Sequence, residues 1–231
     1  MIILSLDTST PSPSVALTKN HTVLSQGFSP GRDSLSKNLL RMVDDCLKSA
    51  GLHLEDIDAF AAAKGPGSFT GLRLGISTVT GFSLGAGKPS LGIETLRAMA
   101  LASTQRDHLI CPLLDARKGE IYGAMFRFVD GNLIRVAEDV LEPAGDFLKR
   151  IEGKVFFLGH GSVHYKAEIE SLLETRALFG PENPDMSVAA AVGFLALEDF
   201  KKRERGDIVI KPRYIRRCEA EIKREEKASS C

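Results

Sequence analysis

Hydrophobic residues open the chain and stop at an acid: residues 1–6 form a short apolar run closed by Asp7-Thr8-Ser9-Thr10. Two further β-rich stretches follow, 14–18 and 21–28, parted by Lys19-Asn20, and together the three runs predict an antiparallel meander. The period then changes. Leu35, Leu39, Leu40, Val43 and Leu47 recur at helical spacing, with Asp33 or Ser34 as N-cap and Gly51 just past the end, which predicts a first helix. Residues 59–63 are a short apolar run suited to a buried strand, and the segment KGPGSFTGLRLG (64–75) turns it into a second helix over about 70–86. A strand at 90–93 and a helix at 94–103 complete the first half.

The second half repeats this plan. A strand at 109–114 again ends in an aspartate, Asp115, and 121–128 with 133–140 form a hairpin through Asp130-Gly131-Asn132. Helices over 144–151, 162–173 and 186–203 flank a strand at 155–158, and the polar tail after Arg217 reads as frayed. Meandering strands followed by alternating helices and strands predict an α/β fold with mixed sheets. The repeated order divides it into an N-terminal lobe, 1–104, and a C-terminal lobe with its tail, 105–231.

Composition narrows the class without naming a chemistry. At 231 residues the chain has room for one large or two small domains, and 43% hydrophobic with 26% charged residues suits a soluble globule, not a disordered chain. Thirty basic and thirty acidic side chains cancel, so attraction to nucleic acid or lipid has to be local. The longest uncharged run, 74–87, is too short to span a bilayer, and Asp7 interrupts the apolar start as a signal peptide would not. Cys46, Cys111, Cys218 and Cys231 contain no CxxC pair, which predicts reduced thiols in a cytoplasmic protein.

Several segments are candidates for chemistry. The glycine-rich segment fails as a phosphate loop, because no Lys-Ser/Thr follows its second glycine, so its glycines are read as serving close backbone packing. The helix it opens has Arg73 as its one charged residue and is apolar on nearly every side, so it needs a cover beyond its own sheet. That cover is a neighbouring molecule's helix, approaching along Gly71, Gly75, Gly81 and Gly85, or else the first helix of the same chain. Asp7 and Asp115, each at a strand end, either hold Mg²⁺ through water across a cleft or cap their own loops. His160 and His164 have metal-ligand spacing, but a Gly-His-Gly turn and the lack of an HExxH glutamate argue for surface or capping roles. No Ser-His-Asp order stands out. Residues 201–217 carry eight basic and two acidic side chains, a patch for phosphate contact or a solvated helix end.

ILSLDTSTPSPSVAL, GPGSFTGLRLG, LLDARKGEIYGAMF and PRYIR, spread from Ile3 to Arg216, give the chain a resemblance to the TsaB (YeaZ) family. That family is the small partner subunit in the machinery that makes threonylcarbamoyladenosine in tRNA. The resemblance implies a two-lobed actin-like ATPase fold, related to ribonuclease H, and a cytoplasmic noncatalytic subunit that binds and stabilises TsaD, with no cofactor. It further implies contact with TsaE through the complex, with tRNA indirectly, and with a second copy of itself, as a homodimer, when TsaD is absent. The first two helices would pair with those of TsaD in a four-helix bundle through Leu35, Leu39, Met42, Val43, Cys46, Gly71, Leu74, Gly75, Thr78 and Phe82. TsaD carries a metal-binding histidine pair after the strand that follows the glycine-led helix; here that place reads Gly92-Ile93-Glu94-Thr95-Leu96-Arg97, without histidine. The competing expectation is an enzyme of the same fold, an ATP-dependent phosphotransferase or metallopeptidase. For it the chain offers Asp7, Thr8, Ser9, Thr10 and Asp115 as nucleotide-site residues.

Overall fold

A computed structural model describes residues 1–29, 35–180, 187–202 and 209–216. Asp33, Ser34, Met186, Arg203 and the tail from Arg217 onward lie outside them, as do the side chain of Leu35 and the thiols of Cys218 and Cys231. The meander forms as the alternation predicts: β1 (Ile2–Asp7), β2 (Ser14–Lys19) and β3 (Thr22–Phe28) pair antiparallel. On the other side of β1, β4 (Ala59–Gly65) and β5 (Ser90–Glu94) add in parallel, giving the order β3-β2-β1-β4-β5. Parallel neighbours need crossovers, and these are α1 (Leu35–Ala50) and α2 (Phe69–Ala86), packed on one face of the sheet. Ser68 caps α2, its hydroxyl accepting the Gly71 N–H at 3.3 Å, and Gly87 ends the helix.

The second sheet repeats the first. β6 (Leu109–Arg117), β7 (Glu120–Val129) and β8 (Asn132–Pro143) are antiparallel, while β9 (Val155–Leu158) and β10 (Ala177–Phe179) run parallel to β6, in the order β10-β9-β6-β7-β8. The β7–β8 turn is Asp130-Gly131, both with positive φ, a backbone that asparagine, aspartate and glycine accept. α4 (Ala144–Lys149) and α6 (Lys166–Leu173) flank this sheet, with α5 (His160–His164) against β6; the helix expected over 162–173 is therefore two helices, broken at Tyr165. β10 escaped the sequence reading because three half-buried residues carry no period.

The lobes do not divide at residue 104 in space. α3 (Thr95–Ala102) turns Leu96, Met99 and Ala100 onto the second sheet, where they pack with Ile110, Leu114, Ala124 and Phe126. In return α7 (Val188–Lys202), from the far end of the chain, covers the first sheet: Ala191, Val192, Leu195 and Ala196 pack on Ile3, Ala61, Ala63 and Ile93. The small face of α7 lets it lie close. A Cβ on Gly193 would stand 2.6 Å from Thr18 Oγ1, and the buried Ser5 hydroxyl donates to the Ala189 carbonyl at 2.7 Å. α7 thus crosses to the first sheet, while α3 lies between the sheets, its Ala98 and Ala102 staying in the first sheet's core.

Candidate functional site

Asp7 ends β1 fully enclosed, with both oxygens occupied by its own loop. The Ser9 N–H and hydroxyl donate to Oδ1 at 2.9 and 2.6 Å, and the Thr10 hydroxyl donates to Oδ2 at 2.5 Å. Burial pushes its carboxyl above the ordinary range, although these hydrogen bonds pull the other way. The Thr8 hydroxyl donates to the Gly71 carbonyl at 2.7 Å, and Ser9 Oγ lies 3.0 Å from Thr95 Oγ1. This loop is a structural knot between β1, α2 and α3.

Between the lobes lies a cavity of about 730 Å³, lined by Ser9, Ser68, Phe69, Asp115, His160 and Tyr214 among others. Asp115 lies within β6 and not at its end; it accepts the Arg117 N–H at 2.8 Å and the Tyr165 hydroxyl at 3.3 Å. The expected pair of carboxylates facing one cleft therefore does not form: Asp115 and Ser9 line it, whereas Asp7 and Thr8 are turned into the knot. A nucleotide, which actin-like ATPase folds imply, would need a Mg²⁺–phosphate donor set that these residues do not supply. Two of the three arginines lining the cleft are ion-paired, Arg213 with Glu94 and Asp139, and Arg216 with Glu120, and Arg117 lines it as well. Both arginines of the basic run are thus ion-paired within the chain while staying partly exposed. The rings of His160 and His164 stack at 6.4 Å on the surface, and no metal-binding group of three His, Cys, Asp or Glu occurs among the described residues. Cys46 and Cys111 are buried thiols, pushed up by desolvation.

The helical face differs from the expected one. Leu39, Val43 and Cys46 belong to the protomer's own core, with Leu39 only 1% exposed, because the most regular apolar stripe of α1 faces its own sheet. Gly71 and Gly75 also face inward. A Cβ on Gly71 would sit 1.9 Å from the Thr8 carbonyl oxygen, and one on Gly75 would sit 2.3 Å from Thr8 Oγ1. These five positions are therefore corrected from partner contacts to internal packing. Met42, Leu74, Thr78 and Phe82 are half-buried, Phe82 stacking on Phe60 with centroids 5.8 Å apart. The sequence reading missed Leu40 at 60% exposure and Leu84 at 61%, beside Gly81 and Gly85, where an added Cβ would meet nothing. The signal was there: Leu40 is the apolar residue of α1 left over once the inward stripe is assigned.

These features define a class before a family. Two five-stranded mixed sheets of the same order around an interlobe cleft are an actin-like ATPase fold, and ROK hexokinase from Thermus thermophilus superposes at TM-score 0.51 with 11% identity, covering 86% of this chain and 100% of that one. A family model described as TsaD, tRNA N6-adenosine threonylcarbamoyltransferase, matches residues 17–224. The tRNA threonylcarbamoyladenosine biosynthesis protein TsaB of Bacillus subtilis (strain 168) is 30% identical over 230 residues, 96% of this chain and 97% of that protein. YeaZ from Pseudomonas aeruginosa superposes at TM-score 0.72 with 25% identity, over 93% of this chain and 99% of that one. The chain belongs to the TsaB (YeaZ) family.

Proposed function

We propose that this protein is a noncatalytic subunit in threonylcarbamoyladenosine modification of tRNA, and that it binds and stabilises a TsaD-type subunit through the outward faces of α1 and α2. The observation that carries the proposal is the solvent-facing side of α2. Leu84 is exposed there with Gly81 and Gly85, which leave space for another backbone, half-buried Leu74 and Phe82 pack on the core at its margins, and Leu40 stands on α1 on the same face of the sheet. A helix with Arg73 as its one charged residue and small residues on its open side suits close helix packing and gains little from water. The occupied oxygens of Asp7 support the noncatalytic part of the proposal. No helix of the described residues is long and apolar enough to cross a membrane.

Mixing the purified chain with TsaD and measuring the complex mass by light scattering tests this directly. We expect a stable heteromeric complex for the wild type and its loss, or at least a tenfold weaker affinity, for Leu84→Arg, in keeping with central anchors that contribute about 2 kcal/mol or more. A Leu84→Arg protein that folds normally and assembles with unchanged affinity would overturn the assigned face.

A further inference from the structure

Residues 209–216 run from one lobe to the other, and every second residue or so is fastened. Ile210 is buried in the core of the first sheet, against Gly92, where a Cβ would come within 2.6 Å of Ile210 Cγ2. The Arg213 N–H donates to the Lys64 carbonyl at 2.7 Å, and the backbone here passes so near β4 that a Cβ on Gly65 would stand 2.4 Å from the Arg213 oxygen. Tyr214 packs on Phe69, with ring centroids 5.0 Å apart, and its hydroxyl accepts from Arg73 Nε at 3.2 Å. Arg216 then pairs with Glu120 on the second sheet.

At the middle of this segment four charges close a ring. Arg213 Nη1 reaches Glu94 Oε1 at 2.8 Å and Asp139 Oδ2 at 2.5 Å, while Arg135 pairs with the remaining oxygen of each, Glu94 Oε2 and Asp139 Oδ1. Glu94 ends β5 in the first sheet, whereas Arg135 and Asp139 belong to β8 in the second. A register shift between Met125↔Ala137 and Gly123↔Val140 places a bulge beside Asp139, whose side chain has no exposed surface. Each carboxylate bridges two guanidiniums and each guanidinium two carboxylates, so the ring is neutral and every carboxylate oxygen is used.

We propose that residues 209–216 are a strap that locks the two lobes at one separation, with the Glu94–Arg135–Asp139–Arg213 ring as its pin. Lobes within one chain move against each other by default unless something large or specific joins them, and hinge closure is the usual motion of a two-lobed cleft. Here the joint is ionic, partly buried and shared by both banks, so opening or closing the cleft has to separate charges that have no other partners in the ring. Gly65 and Gly92, read from sequence as turn and strand residues, make the room in which the strap lies. The ring joins β5, β8 and the strap within one chain, while Tyr214 ties the strap to Phe69 and Arg73 in the first turns of α2.

Hydrogen exchange of the full chain, read by mass spectrometry on wild type, Arg213→Met and Arg97→Met, tests the lock. Arg97 pairs with Asp199 at similar burial but joins α3 to α7, and so controls for loss of an ion pair that leaves the strap intact. We expect Arg213→Met to speed exchange in both β8 and residues 209–216 by about tenfold or more, with Arg97→Met leaving β8 at the wild-type rate. Arg213→Lys keeps the charge on a shorter side chain whose ammonium has to replace the one nitrogen, Nη1, that meets both carboxylates, so it should show a smaller acceleration at the same segments and remains informative if the methionine variant does not fold. Wild-type exchange in β8 for both Arg213 variants, or equal loosening of β8 by Arg97→Met, would overturn the proposal.

Discussion

Gly75 and Gly81 share one helix and have opposite surroundings, so the same substitution separates their roles. At Gly75 an alanine methyl would meet Thr8 Oγ1 at 2.3 Å, and that hydroxyl cannot easily yield because it is bonded to the Gly71 carbonyl. Overpacking of this kind costs about 1–3 kcal/mol, against about 1 kcal/mol gained from better helix propensity, so Gly75→Ala should lose up to about 2 kcal/mol. Gly81→Ala meets open space and should gain about 0.5–1 kcal/mol from propensity alone. Urea unfolding of the two variants beside the wild type measures both, and equal midpoints would contradict the inward packing of Gly75. Asp7 adds a pH signature. Its folded pKa lies above the ordinary 3.8, so the folded state holds the proton more tightly than the unfolded chain does. The resulting stabilisation is complete below 3.8 and is lost as pH rises through the folded pKa. Asp7→Asn removes that term, so the stability of the variant relative to wild type should improve as pH rises from 4 toward neutrality, followed by thermal melting at each pH; a constant or narrowing advantage would mean the carboxylate is not desolvated.

At the scale of elements, periodicity reported where helices and strands lie better than which way they face. The meander, α1 and the Asp130-Gly131 hairpin were legible because each has a clean period or a turn residue with one preferred backbone, and α2 because a long run with one charge follows a glycine-rich turn. Orientation was not. α2 is apolar on nearly every side, so its period cannot choose between an inward and an outward glycine, and the choice is made by Thr8, distant in sequence and adjacent in space. The same limit applies to the candidate site. An aspartate at a strand end looks the same whether it faces a cleft or its own loop, and only the Ser9 and Thr10 hydroxyls, both visible in the motif, hint that Asp7 caps itself. Arg213 shows the deeper gap. In sequence it is one of a run of cations, while its partners Glu94 and Asp139 come from two other segments that nothing local connects to it.

At the scale of the whole molecule, α7 covering the first sheet and α3 packing on both sheets make each half of the chain incomplete. A fragment of residues 1–104 retains all five strands of the first sheet but lacks α7, leaving Ile3, Leu91 and Ile93 without Val192 and Leu195 above them. Burying such a side chain contributes about 1.5–3 kcal/mol, so the five together represent on the order of 10 kcal/mol. That is comparable with the entire net stability of a domain, about 5–15 kcal/mol. The fragment also strands Leu96 and Met99, whose packing partners lie on the second sheet. It should therefore lack a cooperative thermal transition and show poor amide dispersion in NMR spectra. Adding a peptide of residues 187–216 restores both α7 and the strap, including Ile210 in the first core, and should recover a cooperative transition in proportion to the peptide bound. Cooperative folding of residues 1–104 on their own would mean that the sheet closes its second face without α7, and that a sequence boundary near residue 104 is a physical one after all.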